Sequence, residues 1–356
     1  MRLPIRAGAC ALLLATAAYG ADAPQNYRDR NFDYFVSGDP ARSNTAHTQF
    51  GLALMGGGGS VDSAFKFIAQ HAGGGRIVIL RAVSDDSFDP DDGDYGQEFF
   101  SGKWAPVASA ETFVFHNRDA SSDPRVVAAL RAADGIFLAG GDQANYIRYW
   151  KGTPVQDALN AHVRNKPIGG SSAGLAILGH YSYTAFDGDS MESKHALADP
   201  FNSGMTLESD FLHCRWLESV ITDTHFSARS RLGRLISFVA RINGDDPKAN
   251  VIGLGVDEKT AVLIEADGIA RLAPGSAGSA WVVRPQGKFE LKAGQPLSID
   301  RLRLTRMDMD SRFDLGKRDV RHAGADVVLD IHDGELAQPS IASKMLKRDS
   351  APPDEG

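Results

Sequence analysis

Between positions 169 and 175 the chain reads Gly-Gly-Ser-Ser-Ala-Gly-Leu, two adjacent serines in a run of small residues. Counted from Gly170, the segment fits G-x-S-x-G with Ser172 at its centre; counted from Gly169, the fifth position is Ala173 and the pattern fails. This is the frame of a nucleophile elbow, a strained strand-to-helix turn in which side chains on the neighbours would clash and cover the hydroxyl. The plainer alternative is a glycine-rich turn without chemistry. A serine hydroxyl is a weak nucleophile near neutral pH, so the chemical reading needs a base within hydrogen-bond reach and an acid that orients it.

Ten histidines are available as the base. His225 directly follows a strand-like run at 217–223, which puts it at a strand's carboxyl end, the edge where open α/β sheets bind ligands. Glu258 follows the apolar run 251–256 in the same way and is the candidate acid, with Asp257 and Asp223 as competitors. A third run, 135–139, leads into Gly140-Gly141-Asp142-Gln143. Its glycines would let the N–H of Gly141, together with that of Ala173, approach a developing oxyanion. A helix start capped by Asp142 is the simpler account of the same residues, and both can hold.

The elements that must carry these residues alternate. Strand signals at 50–55, 76–83, 112–116, 135–139 and 251–256 are separated by helical spacing at 60–71, 122–133, 142–150, 155–164 and 228–242. Ser60 is the expected cap of the first helix, and Ser-Asp-Pro-Arg from Ser122 supplies a cap and a first-turn proline for the second. From Ala261 onward the pattern changes to short β runs, with a hairpin turn at Asp267-Gly268 and further runs at 280–283 and 289–291. The expected fold is α/β: a mostly parallel sheet with helices on both faces and antiparallel β additions near the C-terminus.

The chain has 356 residues, enough for a large buried core, and its ends differ from its middle. Residues 1–20 place Arg2 and Arg6 before the apolar run Ala9 to Ala18 and small residues after it, the pattern of a secretory signal peptide. Removing those arginines takes the formal charge from −7 to −9, which argues against a nucleic-acid partner. The apolar run is too short to span a bilayer, so the expectation is an exported protein, secreted or periplasmic, with no membrane partner after cleavage. Cys10 leaves with the signal and Cys214 is then the lone cysteine, read as a buried structural thiol. Residues 21–48 read as an irregular lead-in, 49–340 as one α/β domain and 341–356 as a disordered tail.

The segments FLAGGDQ from Phe137, GGSSAGLAILG from Gly169, ITDTHFSARSRLGRL from Ile221 and GLGVDEKTA from Gly253 occur in this order. Together they resemble the cyanophycinase branch of the serine peptidases, which includes aspartyl dipeptidase; the resemblance covers roughly residues 52–263. It implies a class I glutamine amidotransferase-like fold and a Ser-His-Glu triad, which falls on Ser172, His225 and Glu258, with oxyanion donors at Gly141 and Ala173. It further implies substrate contacts from Gln143, Asp223, Arg229, Arg231 and Arg234. Three guanidinium groups beside a nucleophile form a grip for carboxylates. The implied substrate is a peptide or polymer rich in aspartate and arginine, cut through an acyl-enzyme without metal or organic cofactor; a homodimer is left open. The acidic loop Asp85 to Asp94 is either a solvated loop or a source of carboxylates for such a substrate's guanidinium groups.

Two positions depart from the family pattern. Ser171 stands where threonine is usual, and Thr224 stands where the commoner order is Asp-Gln-His-Phe. The second change leaves the substrate open to another β-aspartyl or acidic peptide. A non-catalytic member of the fold that binds acidic ligands is a further reading. The run GLALMGGGGSVDSAF from Gly51 is a loose candidate for a phosphate loop, though it lacks Gly-Lys-Ser/Thr.

Overall fold

The computed structural model describes residues 26–41, 47–83, 95–187 and 190–337. The signal-like segment 1–20, the acidic loop and the tail 341–356 lie outside the described residues. No described helix is long and apolar enough to cross a membrane.

Five parallel strands form the centre of the first sheet, in the spatial order Ser109–Phe115, Arg76–Ala82, Gly135–Leu138, Pro167–Ser171 and Gly51–Met55. Along these strands successive side chains enter different layers, as the period of two requires. Leu52, Leu54, Val78, Leu80, Ile136 and Leu138 pack with Val126, Leu130, Tyr146, Trp150 and Leu159 from helices on one face. Ala53, Met55, Ile77, Ile79 and Phe137 pack with Ala64, Phe65, Phe67 and Ile68 of the helix Asp62–His71 on the other. Coverage on both faces explains why these strands are continuously apolar.

The parallel centre is extended by antiparallel strands on both flanks. Ala261–Ile264 pairs with Gly51–Met55 and turns at Gly268 into Ile269–Leu272. On the opposite flank Phe32–Gly38 pairs antiparallel with Ser109–Phe115 along its whole length. That strand corrects the expected irregular lead-in. Its sequence, FDYFVSG, interrupts the apolar pattern with Asp33 and Ser37, and only a partner about eighty positions away reveals it. Asp33 is nonetheless buried, held at 3.1 Å by His116.

A single sheet was expected, but among the described residues the strands divide into two. The second sheet sets Val220–Asp223 parallel to Ile252–Val256 and to Tyr181–Tyr183, then continues antiparallel through Ala280–Pro285, Ser298–Met307 and Ala325–His332. The helix Leu232–Asp245 fills its core with Leu235, Ile236, Phe238 and Val239. This helix begins four positions later than its amphipathic spacing suggests, because Ser230 takes a positive φ of 50° and breaks the turn before it. The first helix likewise starts at Asp62 rather than at a Ser60 cap, whereas Asp123 caps its helix at the Arg125 N–H as expected. Cys214 is 1% exposed, and burial pushes its thiol up to about 12.

His162 ties the end of the helix Pro154–His162 to the start of the elbow strand: its Nε2 lies 2.9 Å from the Pro167 carbonyl and is the donor to it. Burial lowers its pKa to about 4, against an ordinary value of about 6.5. The unfolded chain therefore takes up a proton at this site before the folded one, so stability is full above about pH 6.5 and falls as the pH drops toward 4. The loss from this group is about 3 kcal/mol. His162→Gln, which keeps a donor near Nε2 but does not titrate, should flatten that part of the stability profile when urea unfolding is followed from pH 7 to 4.

Candidate active site

Among the described residues the chain crosses between the two sheets five times, and Ser172 and Glu258 stand at two of those crossings. Pro167–Ser171 belongs to the first sheet, and the chain leaves it through Ser172 and the short helix Ala173–Ala176 toward Tyr181–Tyr183 in the second. Ile252–Val256 belongs to the second sheet, and residues 257–260 carry Glu258 back to Ala261–Ile264 in the first. His225 follows Val220–Asp223. Strand-end placement thus holds for all three, across a seam rather than along one edge.

Ser172 takes φ 52° and ψ −116°, a conformation sparsely populated by residues with a side chain, and costs of order 1–3 kcal/mol. Close packing enforces the turn. A Cβ on Gly170 would lie 2.4 Å from the Gly174 carbonyl, and one on Gly174 would lie 2.1 Å from that of Leu138. The serine left at the apex is partly exposed, and its Oγ is 2.7 Å from His225 Nε2. His225 Nδ1 is 2.6 Å from Glu258 Oε1. Because the carboxylate can only accept, the ring proton belongs on Nδ1 and Nε2 is the acceptor for the Ser172 hydroxyl. His225 is 6% exposed, and burial is the main cause that lowers its pKa below the ordinary histidine value. The hydrogen bond to Glu258 opposes this, while Arg229 and Arg231 add to it.

The competitors of Glu258 are engaged elsewhere. Asp257 accepts from the Ser227 N–H at 3.0 Å and its hydroxyl at 2.6 Å, and from Ser279 N–H and Trp281 Nε1 at 3.0 and 3.2 Å. It clamps the segment after His225 to the strand end that carries Glu258. Asp223 is 3% exposed and accepts from Arg234 Nε at 2.7 Å and from its Nη2. Arg234 is itself 2% exposed and lies over the Tyr183 ring at 5.1 Å. Asp223 and Arg234, both expected to contact substrate, are buried and paired with each other, and Arg231 shares the same carboxylate at 3.5 Å. Arg231, 8% exposed, donates to the carbonyl and hydroxyl of Thr224 at 2.9 and 3.0 Å. Burial lowers its pKa to about 10, so it stays charged near neutral pH. Arg229 is exposed, and with Arg231 it lines a cavity of about 490 Å³.

The Gly140-Gly141 turn lies beside the elbow; a Cβ on Gly140 would be 3.6 Å from Ser172 Cβ. The buried Tyr146 hydroxyl is 2.7 Å from the Ala139 carbonyl, to which it donates, and 3.1 Å from that of Gly140. In a trans peptide the N–H opposes the C=O, so turning the Gly140 carbonyl toward Tyr146 turns the Gly141 N–H away from it. Ala173 opens its helix, where N–H groups lack intrahelical acceptors. Asp142 caps the following helix at Ala144 N–H, 2.8 Å away, and Gln143 is half-buried in its first turn.

Spacing did not reveal the role of the glycines at 56–59. A Cβ on Gly57 would lie 2.6 Å from the His225 ring and 3.0 Å from Ser172 Cβ, and one on Gly58 would lie 2.6 Å from the Glu258 carboxyl carbon. These glycines, part of the loose phosphate-loop candidate, form the surface against which the three side chains stack. Four consecutive glycines after a buried strand were the available signal.

Residues 111–272 match the model of peptidase family S51. The chain is 31% identical over 217 residues to the cyanophycinase of Nostoc sp. strain PCC 7120, covering 59% of this chain and 66% of that protein. It is 29% identical over 223 residues to the cyanophycinase of Synechococcus elongatus, covering 61% and 63%. The matches thus span just under two thirds of those relatives. Among solved structures, a peptidase from an acI-B1 actinobacterium aligns with a TM-score of 0.45 and 14% identity, covering 80% of this chain and 98% of that one. The stretch similar to peptidase family S51 contains Ser172, His225 and Glu258, so all three candidate residues fall within it.

Proposed function

We propose that this chain is an exported serine peptidase that cuts aspartate- and arginine-rich peptides, with cyanophycin, the substrate named by its relatives, as the leading candidate. The observation that carries the reading is the unbroken hydrogen-bond chain Ser172–His225–Glu258 assembled across two sheets. Ser172 Oγ attacks the scissile carbonyl carbon while its proton passes to His225 Nε2. The resulting oxyanion faces the N–H groups of Gly141 and Ala173. The C–N bond then breaks, and the proton on Nε2 goes to the leaving amine. Water adds to the acyl-enzyme by the same route, giving the acid and restoring Ser172. Glu258 holds the imidazole in the required tautomer and offsets the charge it acquires.

Ser172→Ala should lower turnover of cyanophycin or a β-aspartyl dipeptide by roughly 10⁴-fold or more with unchanged unfolding. A fluorophosphonate should label the wild-type chain at Ser172; retained hydrolysis in the variant, or no labelling, would disprove the assignment. The depressed pKa of His225 keeps it neutral below the usual histidine range, so the acid limb of kcat/KM should have its midpoint under about pH 6.5. Glu258→Gln removes the carboxylate charge that helps raise this pKa, so the limb should move lower still while kcat drops by roughly 10³–10⁴. Gly57→Ala places a methyl group where the His225 ring stands, and a displacement of that size should cost roughly 10²-fold in kcat/KM, measured beside urea unfolding.

A further inference from the structure

The cavity beside the triad holds a serine that the mechanism does not use. Ser190 is exposed and lines the cavity with Met191, Ser193, Arg229, Ser230 and Arg231. Its Oγ accepts from Arg234 Nη1 at 2.7 Å and from Arg231 Nη2 at 3.4 Å. A hydroxyl has two acceptor lone pairs and one proton. With both lone pairs facing buried guanidinium groups, the remaining capacity of Ser190 is to donate, and two cationic neighbours polarise the O–H and strengthen it as a donor.

Charge points the same way. Two buried arginines share one buried carboxylate, Asp223, which leaves one positive charge uncompensated at the cavity wall. Arg229 adds a second. Glu192 and Lys194 at the exposed rim pair with each other at 3.7 Å and cancel. Arg229, Arg231 and the Ser190 hydroxyl therefore give this cavity an excess of donors and of positive charge, which suits an anionic acceptor and repels guanidinium or ammonium. Arg231 also donates to the carbonyl of Thr224, the residue before His225, which ties this wall of the cavity to the segment that carries the base.

We propose that Ser190 is a specificity-determining donor which, together with Arg231, receives a free carboxylate of the substrate and so fixes which part of an aspartyl-arginine unit enters this cavity. The proposal rests on the peptidase reading above. It is tested by calorimetry in the Ser172→Ala protein, titrated with β-aspartyl-arginine and with the two forms in which one or the other carboxylate is amidated. One amidation should weaken binding about tenfold or more, and Ser190→Ala should weaken the free acid by a similar factor while barely affecting that amide. Ser190→Thr, which keeps the hydroxyl, should restore the difference. Equal binding of acid and both amides, or a loss in Ser190→Ala that falls equally on acid and amide, would overturn it. Failure of the fluorophosphonate to label the wild-type chain would count against the peptidase reading, whereas labelling with no effect of Ser190→Ala would remove this inference alone.

Discussion

Three consecutive backbone carbonyls organise the site. Those of Met55, Gly56 and Gly57 accept the N–H groups of Ser172, His225 and Lys259 at 3.1, 2.8 and 2.8 Å. One short loop thus sets the height and spacing of nucleophile, base and acid, although they come from segments more than thirty residues apart. The approach requires residues without Cβ: one on Gly56 would lie 2.0 Å from the Asp257 carbonyl, and Gly57 and Gly58 have φ of 89° and 71°. The partners are strained in turn, since Ser172, His225 and Lys259 all have positive φ. Conformations of this kind persist where surrounding contacts over-determine them.

Buried charge braces the same seam. Asp257 joins the segment after His225 to the end of Ile252–Val256, and Asp223 joins the end of the neighbouring strand to the helix Leu232–Asp245 through Arg234. Removing one partner of such a buried pair leaves the other uncompensated, typically a loss of 3–5 kcal/mol. Both carboxylates therefore shape the cleft from behind rather than from inside it. The surplus guanidinium of Arg231 is what reaches the cavity, clamped by Thr224 on one side and facing Ser190 on the other. Thr224, the departure from the family pattern, has a structural task in holding Arg231.

Much of the layout was legible in the residues. The buried parallel strands, the capped helix after Asp123 and the hairpin at Gly268 follow from local patterns that need no distant partner. Ser172 followed from its frame among glycines, and His225 and Glu258 from their positions after apolar runs. The strand Phe32–Gly38 was missed because its pairing is remote and its pattern is broken by a buried aspartate. The division into two sheets was missed because strand signals carry no record of which sheet a strand joins. The pairing of Asp223 with Arg234 was not legible, because a charged side chain looks the same in sequence whether it faces a ligand or another buried charge.

What the sequence by itself determined is chemical capacity: a serine at a glycine-framed turn, a histidine and a glutamate after strands, and a cluster of arginines in an acidic chain. Residue type and local spacing suffice for that, since they reflect backbone freedom and functional groups. The tertiary structure decided which of these groups meet. It alone set Ser172 and Glu258 on either side of His225, turned Asp257 inward, neutralised Arg234 and left Arg231 facing the cavity. The physical reason is that hydrogen bonding and charge compensation act over a few ångströms in space, and long-range folding brings those neighbours together without regard to their order in the chain.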